Sequence, residues 1–212
     1  MGDQLSHRER QRVQTQRLIQ EHAIRLFIER GYDRTTVGDV AAAAGVSPMT
    51  LYRHFPTKQD LVLRDEYDAL IAERIAARPD DEPLVLRIGR ALTDELSAAI
   101  ATGADGTPDT GAGREQAANG RDLLLARLRL VIATPALRAR RWDNRYATQL
   151  AIVEALRGAP PDPEFEFRLT VATGACLAAA SAALFRWAAD NGSGDIVQMM
   201  NDALGVLAEG QS

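Results

Sequence analysis

The sequence predicts an all-α protein, on three observations. Apolar residues recur at helical spacing along most of the 212 residues, capping pairs and prolines separate the apolar stretches, and no segment alternates apolar and polar residues as a half-buried strand does. Apolar residues make up 46% of the chain, and glycine and proline are not enriched, so we expect a packed core and exclude a disordered chain. The one cysteine, Cys176, cannot form a disulfide bond within the chain, which fits a reducing compartment.

The first two predicted helices lie near the N-terminal end. Apolar residues three and four positions apart predict a helix over residues 16–30, which Gly31 ends because glycine adopts positive φ without steric cost. Thr36, with Asp39 three positions later, has the spacing of an N-cap and its partner. A short second helix therefore starts there, and Gly45 closes it.

Ser47 and Pro48 mark the start of a third helix, since serine caps helices and proline is tolerated in the first turn. Only the residues at positions 45 and 46 separate this cap from the second helix. Two short helices joined by so tight a turn must cross steeply, which predicts a helix-turn-helix. Pro56 then breaks the chain, and Thr57 repeats the cap spacing and starts a fourth helix toward Ala77.

The rest of the chain is also predicted to be helical. Prolines and glycines divide it into helices over residues 83–100, 121–133, 135–157, 164–189 and 195–209. A glycine-rich stretch over residues 102–120 is expected to be a loop. The low-charge run over residues 169–185 is too short to span a membrane and predicts a buried helix. The polar first 12 residues lack the apolar core of a signal peptide, so we expect a cytoplasmic protein without membrane contact.

Charge is distributed unevenly along the chain. The whole chain has a net charge of −4, but residues 1–58 carry +3 and the remaining residues carry −7. A basic end on an acidic body is the arrangement expected of a protein that binds a polyanion through one end.

A series of motifs within residues 31–61 carries a family resemblance. The motifs are Gly31-Tyr32, Thr35-Thr36-Val37, Val40-Ala41 and the continuous stretch AGVSPMTLYRHFPTKQDL over residues 44–61. They closely resemble the DNA-binding domain of the TetR family of bacterial transcriptional regulators, over about residues 15–62. The remaining two thirds of the chain resembles the family in helix count and order, and the stretch over residues 65–83 looks like members linked to fatty acyl or mycofactocin metabolism.

The resemblance implies a helix-turn-helix DNA-binding domain over residues 15–60 and an effector-binding and dimerisation domain over residues 61–212. Residues 1–14 form a basic arm that is either a flexible tail or a minor-groove contact. The implied protein is a homodimeric regulator, most often a repressor, that binds a palindromic operator in double-stranded DNA and that a small molecule releases. No cofactor is expected. A ligand-responsive activator and an all-helical interaction protein without DNA binding are the alternatives.

The resemblance also assigns DNA contacts to individual residues. It implies phosphate contacts from Thr36, Ser47, Tyr52, His54 and Lys58. It places Met49, Thr50 and Arg53 nearest the base edges, with Pro48 on the same outward face. Helical spacing supports this division, because Val46, Leu51 and Phe55 are expected to face the core. Gly38 stands where some relatives carry a base-reading arginine, so specificity is expected to rest on the third helix and on DNA shape.

The second domain is expected to provide a dimer interface and a ligand pocket. Small residues on the last two helices permit close approach of a second subunit, as in the four-helix interface that this family forms from the same two helices of each subunit, although packing within one chain explains them equally well. The candidate interface residues are Ala172, Ala175, Ala179, Ala183 and Trp187. The candidate pocket residues, which as a set would suit an apolar or acyl-CoA-like ligand and which singly are also explained as core, are Tyr67, Arg87, Leu92, Leu96, Arg127, Trp142, Tyr146 and Phe165.

The sequence contains little that supports an enzyme. Its three histidines, His7, His22 and His54, and its cysteine lie in different segments, so no set of ligands has metal-binding spacing. The nucleophile-elbow, phosphate-loop and zinc-protease motifs are absent. We therefore predict neither catalysis nor a metal site.

Overall fold

A computed structural model describes residues 7–63, 68–101, 111–158, 160 and 162–209 of the protein. Within these residues every regular element is a helix, so the all-α prediction is confirmed. In chain order the helices are α1 His7–Arg30, α2 Val37–Ala43, α3 Pro48–His54, α4 Asp60–Leu63, α5 Asp68–Ala76, α6 Leu84–Ala101, α7 Gly111–Ala133, α8 Pro135–Leu156, α9 Pro163–Ala189 and α10 Ile196–Glu209.

The predicted capping pairs form the hydrogen bonds that their spacing indicated. The Thr36 hydroxyl accepts from the Asp39 backbone N–H, and the Asp39 carboxylate accepts from the Thr36 N–H, which completes a capping box at α2. The Ser47 hydroxyl accepts from the backbone N–H of the third residue of α3. Thr57 and Asp60 exchange the same pair of bonds before α4. These local signals therefore fix where three short helices begin.

Three helix boundaries differ from the sequence-based expectations. α1 begins at His7, so residues 7–14 of the expected arm are helical. The fourth helix is described in two pieces, α4 and α5, and the intervening residues 64–67 lie outside the described part of the chain. The loop expected over residues 102–120 is wrong from residue 111 onward, where α7 begins.

Gly120 explains why the loop prediction failed. A Cβ atom at this position would lie 2.4 Å from the carbonyl oxygen of Ile100, so only glycine permits this approach of α7 to α6. Glycine has a low helix propensity and is commonly a loop signal, but here tertiary packing outweighs that preference.

The chain forms two compact units. The N-terminal unit comprises Met1–Glu66 together with Leu130–Arg140, and the C-terminal unit comprises Tyr67–Arg129 and Arg141–Ser212. In the N-terminal unit α1 packs against α2 and α4, and α2 packs against α3. The largest fully buried side chains of these four helices and their connections are Ile19, Phe27, Leu51, Phe55 and Leu61. Two of the three predicted core residues, Leu51 and Phe55, are thus buried, and Val46 is half-buried.

The C-terminal unit is built around α6, α9 and α10, which pack against one another. Its core includes Ile88, Leu169 and Trp187. By length and composition alone α9 could cross a membrane, a test that core helices of soluble proteins also pass. One third of its most apolar window is buried in the protein, and one side of the helix lies in the core as predicted.

Cys176 lies in this core and is fully buried. Its thiol points to the carbonyl oxygen of Val85 at 3.7 Å. Burial raises the pKa of the Cys176 thiol to about 11, so it stays protonated at neutral pH. A protonated, buried thiol is a poor nucleophile, which makes this residue a packing element of the core.

Arg87 closes the C-terminal end of α5. Its guanidinium donates to the carbonyl oxygens of Ile75 at 2.8 Å and Ala76 at 3.4 Å, and it pairs with Asp80 at 2.8 Å. The side chain is only 9% exposed. The assignment of Arg87 to a ligand pocket is therefore wrong, because its donors already satisfy helix-end carbonyls.

We predict that Arg87→Met lowers the free energy of unfolding by about 1.5 to 3 kcal/mol, because buried carbonyl groups lose a charged donor. The matched control is Arg90→Met, because the side chain of Arg90 is 58% exposed and its guanidinium pairs with Glu82. That variant is expected to change stability by less than about 1 kcal/mol. Urea unfolding of both variants measures the difference, and equal losses would contradict the capping role.

Two glycines of the helix-turn-helix offer a second test. Gly38 lies within α2, where an added Cβ would meet only the Thr36 hydroxyl at 3.6 Å, and Gly45 has open space around it but a φ of +66°. We expect Gly38→Ala to stabilise the protein by about 0.5 kcal/mol. We expect Gly45→Ala to destabilise it by about 1 kcal/mol, since only its backbone conformation excludes a side chain. Thermal unfolding measures both changes in stability. Changes of the same sign would refute the conclusion that positive φ excludes a side chain at Gly45 but not at Gly38.

Candidate nucleic-acid interface

Helix α3 divides sharply between a buried and an outward face. Leu51 is fully buried, whereas Met49 is 79% exposed and Tyr52 is 50% exposed. Pro48 and Arg53 are exposed as well. Met49 and Tyr52 are three positions apart, so these two large side chains are exposed on the same side of the helix. The outward face predicted for these four residues is therefore present.

Ser47 and Thr50 form a small hydroxyl pair at the start of α3. Their oxygens are 2.9 Å apart, and the Ser47 hydroxyl also accepts from the Thr50 backbone N–H at 3.1 Å. Two hydroxyl groups supply two hydrogens, of which the mutual bond uses one. The second hydrogen remains able to donate to an anion. Thr50 is half-buried at this edge.

Thr36 has a different arrangement at the start of α2. Its hydroxyl donates to the Asp39 carboxylate at 2.6 Å, so the hydrogen that a phosphate would accept is already in use. Hydrogen bonds from the Thr36 side chain and then from its backbone hold the pKa of the Asp39 carboxyl below its ordinary value. Contact between Thr36 and phosphate remains a prediction, and it would require the hydroxyl to rotate away from Asp39.

The expectation that His54 faces outward is wrong. The residue is 8% exposed, and its ring centroid lies 6.5 Å from that of Phe55. The physical reason is helical spacing: His54 follows the buried Leu51 by three positions and so shares its face. The resemblance implied a contact here, and our division of α3 into inward apolar and outward polar positions also placed His54 outward, because it overlooked the three-residue step from Leu51.

Lys58 lies against two aromatic rings on the segment before α4. Its ammonium group is 4.3 Å from the ring centroid of Tyr32 and 5.6 Å from that of Phe27, and it donates to the Tyr32 carbonyl oxygen. Burial lowers the pKa of Lys58, and the charge of Asp33 opposes that shift. Sequence reasoning missed this aromatic contact, and the one signal for it was the presence of Tyr32 in the motif after Gly31.

The candidate pocket residues do not form one group. Leu92 and Leu96 are buried in the core of the C-terminal unit, and Phe165 packs half-buried against it. Trp142 and Tyr146 are 66% and 60% exposed, so their assignment to an enclosed pocket is wrong. Helix α8 has polar and apolar residues on all sides, and its spacing did not reveal which side is buried. Arg127 is half-buried, and Tyr67 lies outside the described residues.

The predicted dimer residues need a similar correction. Ala172, Ala183 and Trp187 are buried within the chain, and Ala175 and Ala179 are half-buried. Packing within one chain, the open alternative, accounts for the first three. A neighbouring stripe of α9 is exposed instead, consisting of Phe167, Val171, Ala178 and Ala182. Alanines occur on several sides of this helix, so small size alone did not identify the outward side.

No group of three or more His, Cys, Asp or Glu side chains that could hold a metal ion occurs among the residues whose positions are described. Neither the outward face of α3 nor the Lys58 contact contains a nucleophile paired with a base. What these surfaces offer is a hydroxyl hydrogen, a positive charge and exposed apolar groups. Such groups suit a phosphate backbone and base edges.

Two family profiles match the chain. The profile of bacterial regulatory proteins of the TetR family matches residues 19–64, and that of the MftR C-terminal domain matches residues 114–212. The first covers α2, α3 and every residue assigned above to DNA contact. The second covers described residues of α7 through α10.

Relatives of known name agree with these profiles. The transcriptional regulator TcmR of Streptomyces glaucescens is 32% identical over 179 residues, which are 81% of this chain and 72% of TcmR. IcaR of Staphylococcus aureus strain Newman, a negative transcriptional regulator of a biofilm operon, is 42% identical over 43 residues, which are 20% of this chain and 23% of IcaR.

Two solved structures share the fold. The Thermus thermophilus repressor FadR, in complex with lauroyl-CoA, has a TM-score of 0.52 at 21% identity, covering 93% of this chain and 95% of FadR. Native NalD, a repressor of an efflux pump in Pseudomonas aeruginosa, has a TM-score of 0.52 at 20% identity, covering 94% and 96%. Together with the helix-turn-helix geometry, the profile matches and the similarity to TcmR establish that this chain belongs to the TetR family of DNA-binding transcriptional regulators.

Proposed function

We propose that the protein is a homodimeric repressor that binds a palindromic operator and that a small ligand releases it. The observation that carries the proposal is the outward face of α3, where Met49 is 79% exposed on a helix-turn-helix at the basic end of the chain. IcaR, FadR and NalD are each described as negative regulators or repressors, which favours repression over activation. A protein that acts on DNA in a bacterium would work in the cytoplasm.

The roles of the contact residues follow from their chemistry. Met49, Thr50 and Arg53 would lie nearest the base edges, where a methyl group can contact thymine and a guanidinium can bind guanine. Ser47, Tyr52 and Lys58 would contact phosphates, as would Thr36 after its hydroxyl leaves Asp39. The buried His54 is not included. Phosphate contacts set the register, and the base-facing group sets the sequence preference.

The exposed stripe of α9 would form the dimer interface. Phe167 and Val171 are 65% and 55% exposed, and the small side chains of Ala178 and Ala182 continue the same side of the helix. Small residues permit close approach of helix backbones, and large apolar residues beside them supply buried area. This stripe replaces the inward alanines named from the sequence.

An apolar ligand with a polar group is the effector that the C-terminal unit favours. FadR binds lauroyl-CoA, and the core here combines Leu92, Leu96 and the half-buried Phe165. The Thr173 hydroxyl is fully buried and has no hydrogen-bond partner among the residues that the structure describes. Such a group is costly unless something compensates it, and a polar atom of a bound ligand would do so.

The repressor should protect two half-sites related by two-fold symmetry. Two recognition helices in a symmetric dimer meet successive major grooves, so half-site centres should lie roughly 34 to 36 Å apart or a multiple of that distance. Footprinting on the DNA that flanks the gene measures this. The all-helical interaction protein without DNA binding predicts no protection, and a reporter gene separates repression from activation.

A charge in the α9 stripe tests the dimer within the same assay. Ala178→Glu is expected to yield monomers by sedimentation and to lose the two-fold footprint, because a carboxylate cannot be buried between two copies without a partner. The control is Ala151→Glu, at an exposed alanine of α8, which should remain dimeric. A dimeric Ala178→Glu would place the interface elsewhere.

Lauroyl-CoA serves as the probe for the effector. It should raise the melting temperature of the wild type, and this increase should shrink in Thr173→Val while the stability of the free protein is kept. Thr148→Val is the control, because its buried hydroxyl already bonds the Asn144 carbonyl oxygen at 3.1 Å. Equal increases in melting temperature for Thr173→Val and wild type would exclude the hydroxyl from the site.

Linkage makes a second requirement: DNA must weaken lauroyl-CoA binding by the same factor by which lauroyl-CoA weakens DNA binding, typically about 5- to 150-fold.

A further inference from the structure

Tyr32 and Phe27 form an aromatic corner around the ammonium group of Lys58. The two ring centroids are 5.0 Å apart and the ring planes are inclined at 58°. Phe27 is fully buried in α1, so its ring is held in place, and Tyr32 is half-buried in the turn after that helix. The ammonium lies 5.6 Å and 4.3 Å from the two centroids.

The contacts of Lys58 leave two of its three donors without a partner among the described residues, and the charge of Asp33 acts on it without forming an ion pair. An ammonium group has three N–H donors, of which one goes to the Tyr32 carbonyl oxygen. None of the ion pairs formed among the described residues includes Lys58. The ring faces attract the cation without neutralising it. The half-buried group therefore keeps a positive charge and two donors for a partner of opposite charge.

We propose that Tyr32 is a positioning residue for DNA binding, whose ring and carbonyl oxygen hold the Lys58 ammonium in place for one phosphate of the backbone. The proposal rests on the proposed function and adds a residue that touches no DNA itself. A free lysine side chain samples many rotamers and loses that freedom on binding. Contact with the aromatic corner restricts the Lys58 side chain before DNA binds. Less rotamer entropy is therefore lost when its ammonium group contacts a phosphate.

The salt dependence of binding shows whether Lys58 neutralises a phosphate, and a double-mutant cycle separates positioning from a purely structural role. Each phosphate that a protein neutralises contributes about 0.9 to the slope of log affinity against log salt concentration. A variant that only weakens the fold loses the same affinity with or without Lys58, whereas loss of positioning lowers affinity only while Lys58 is present. A nonspecific 24-base-pair duplex suffices as the probe, because this contribution is independent of sequence.

The experiment compares four variants with the wild type from 50 to 200 mM KCl. Tyr32→Phe keeps the ring and the carbonyl group, so its slope should equal that of the wild type. Tyr32→Leu removes the ring, and Lys58→Met removes the charge but keeps the apolar stem. Lys58→Met should lower the slope by about 0.9, which is about a 3.5-fold smaller loss of affinity over this range. Tyr32→Leu should keep the slope but lower the affinity, because the lysine still reaches the phosphate at an entropic cost. In the Lys58→Met background, Tyr32→Leu should cost no further affinity, because the ring then has no ammonium group to hold.

The outcomes separate the possibilities. An equal loss of affinity from Tyr32→Leu in the wild type and in the Lys58→Met background would overturn the positioning role and leave the aromatic corner as a structural contact. If Tyr32→Leu does not fold, an unchanged slope in Lys58→Met overturns the proposal equally. A wild type that does not bind the duplex at all would instead refute the proposed function.

Discussion

The geometry of the N-terminal unit depends on hydroxyl and carboxylate groups that cap very short helices. Helices of seven and four residues are far below the length at which an isolated helix is stable. Thr36, Ser47 and Thr57 each satisfy backbone N–H groups that such a helix leaves unpaired. The caps set where each helix begins, and Leu51 and Phe55 then anchor α3 in the core. The outward direction of Met49 and Tyr52 follows from these two constraints.

Much of this arrangement could be predicted because its signals are local. A cap and its partner lie three residues apart, and the buried side of α3 follows from helical spacing, so the sequence alone placed α2, α3 and the residues that face outward. His54 shows the limit of a resemblance. The family pattern implied contact, and the division of α3 into apolar and polar positions agreed with it, although the three-residue step from Leu51 places His54 on the inner face.

The errors concern features that only tertiary packing determines. Gly120 has the composition of a loop residue, but it lies in a helix because α6 approaches too closely for any side chain. Arg87 had the chemistry of a ligand contact, yet its donors bind the last carbonyl groups of a helix that ends eleven residues earlier in sequence, at Ala76. The alanines of α9 occur on more than one side of the helix, so their size did not indicate which side faces outward. In each case the deciding neighbour is distant in sequence.

The buried thiol of Cys176 is a chemical probe of how often the C-terminal unit opens. Because the thiol is the only one in the chain and lies fully buried with a pKa of about 11, an alkylating reagent can reach it only when α9 moves away from its neighbours. The rate of alkylation therefore reports how often the core opens. A molecule that stabilises the core should lower this rate, and one that destabilises it should raise it. Cys176 can thus report changes in the core without an added label.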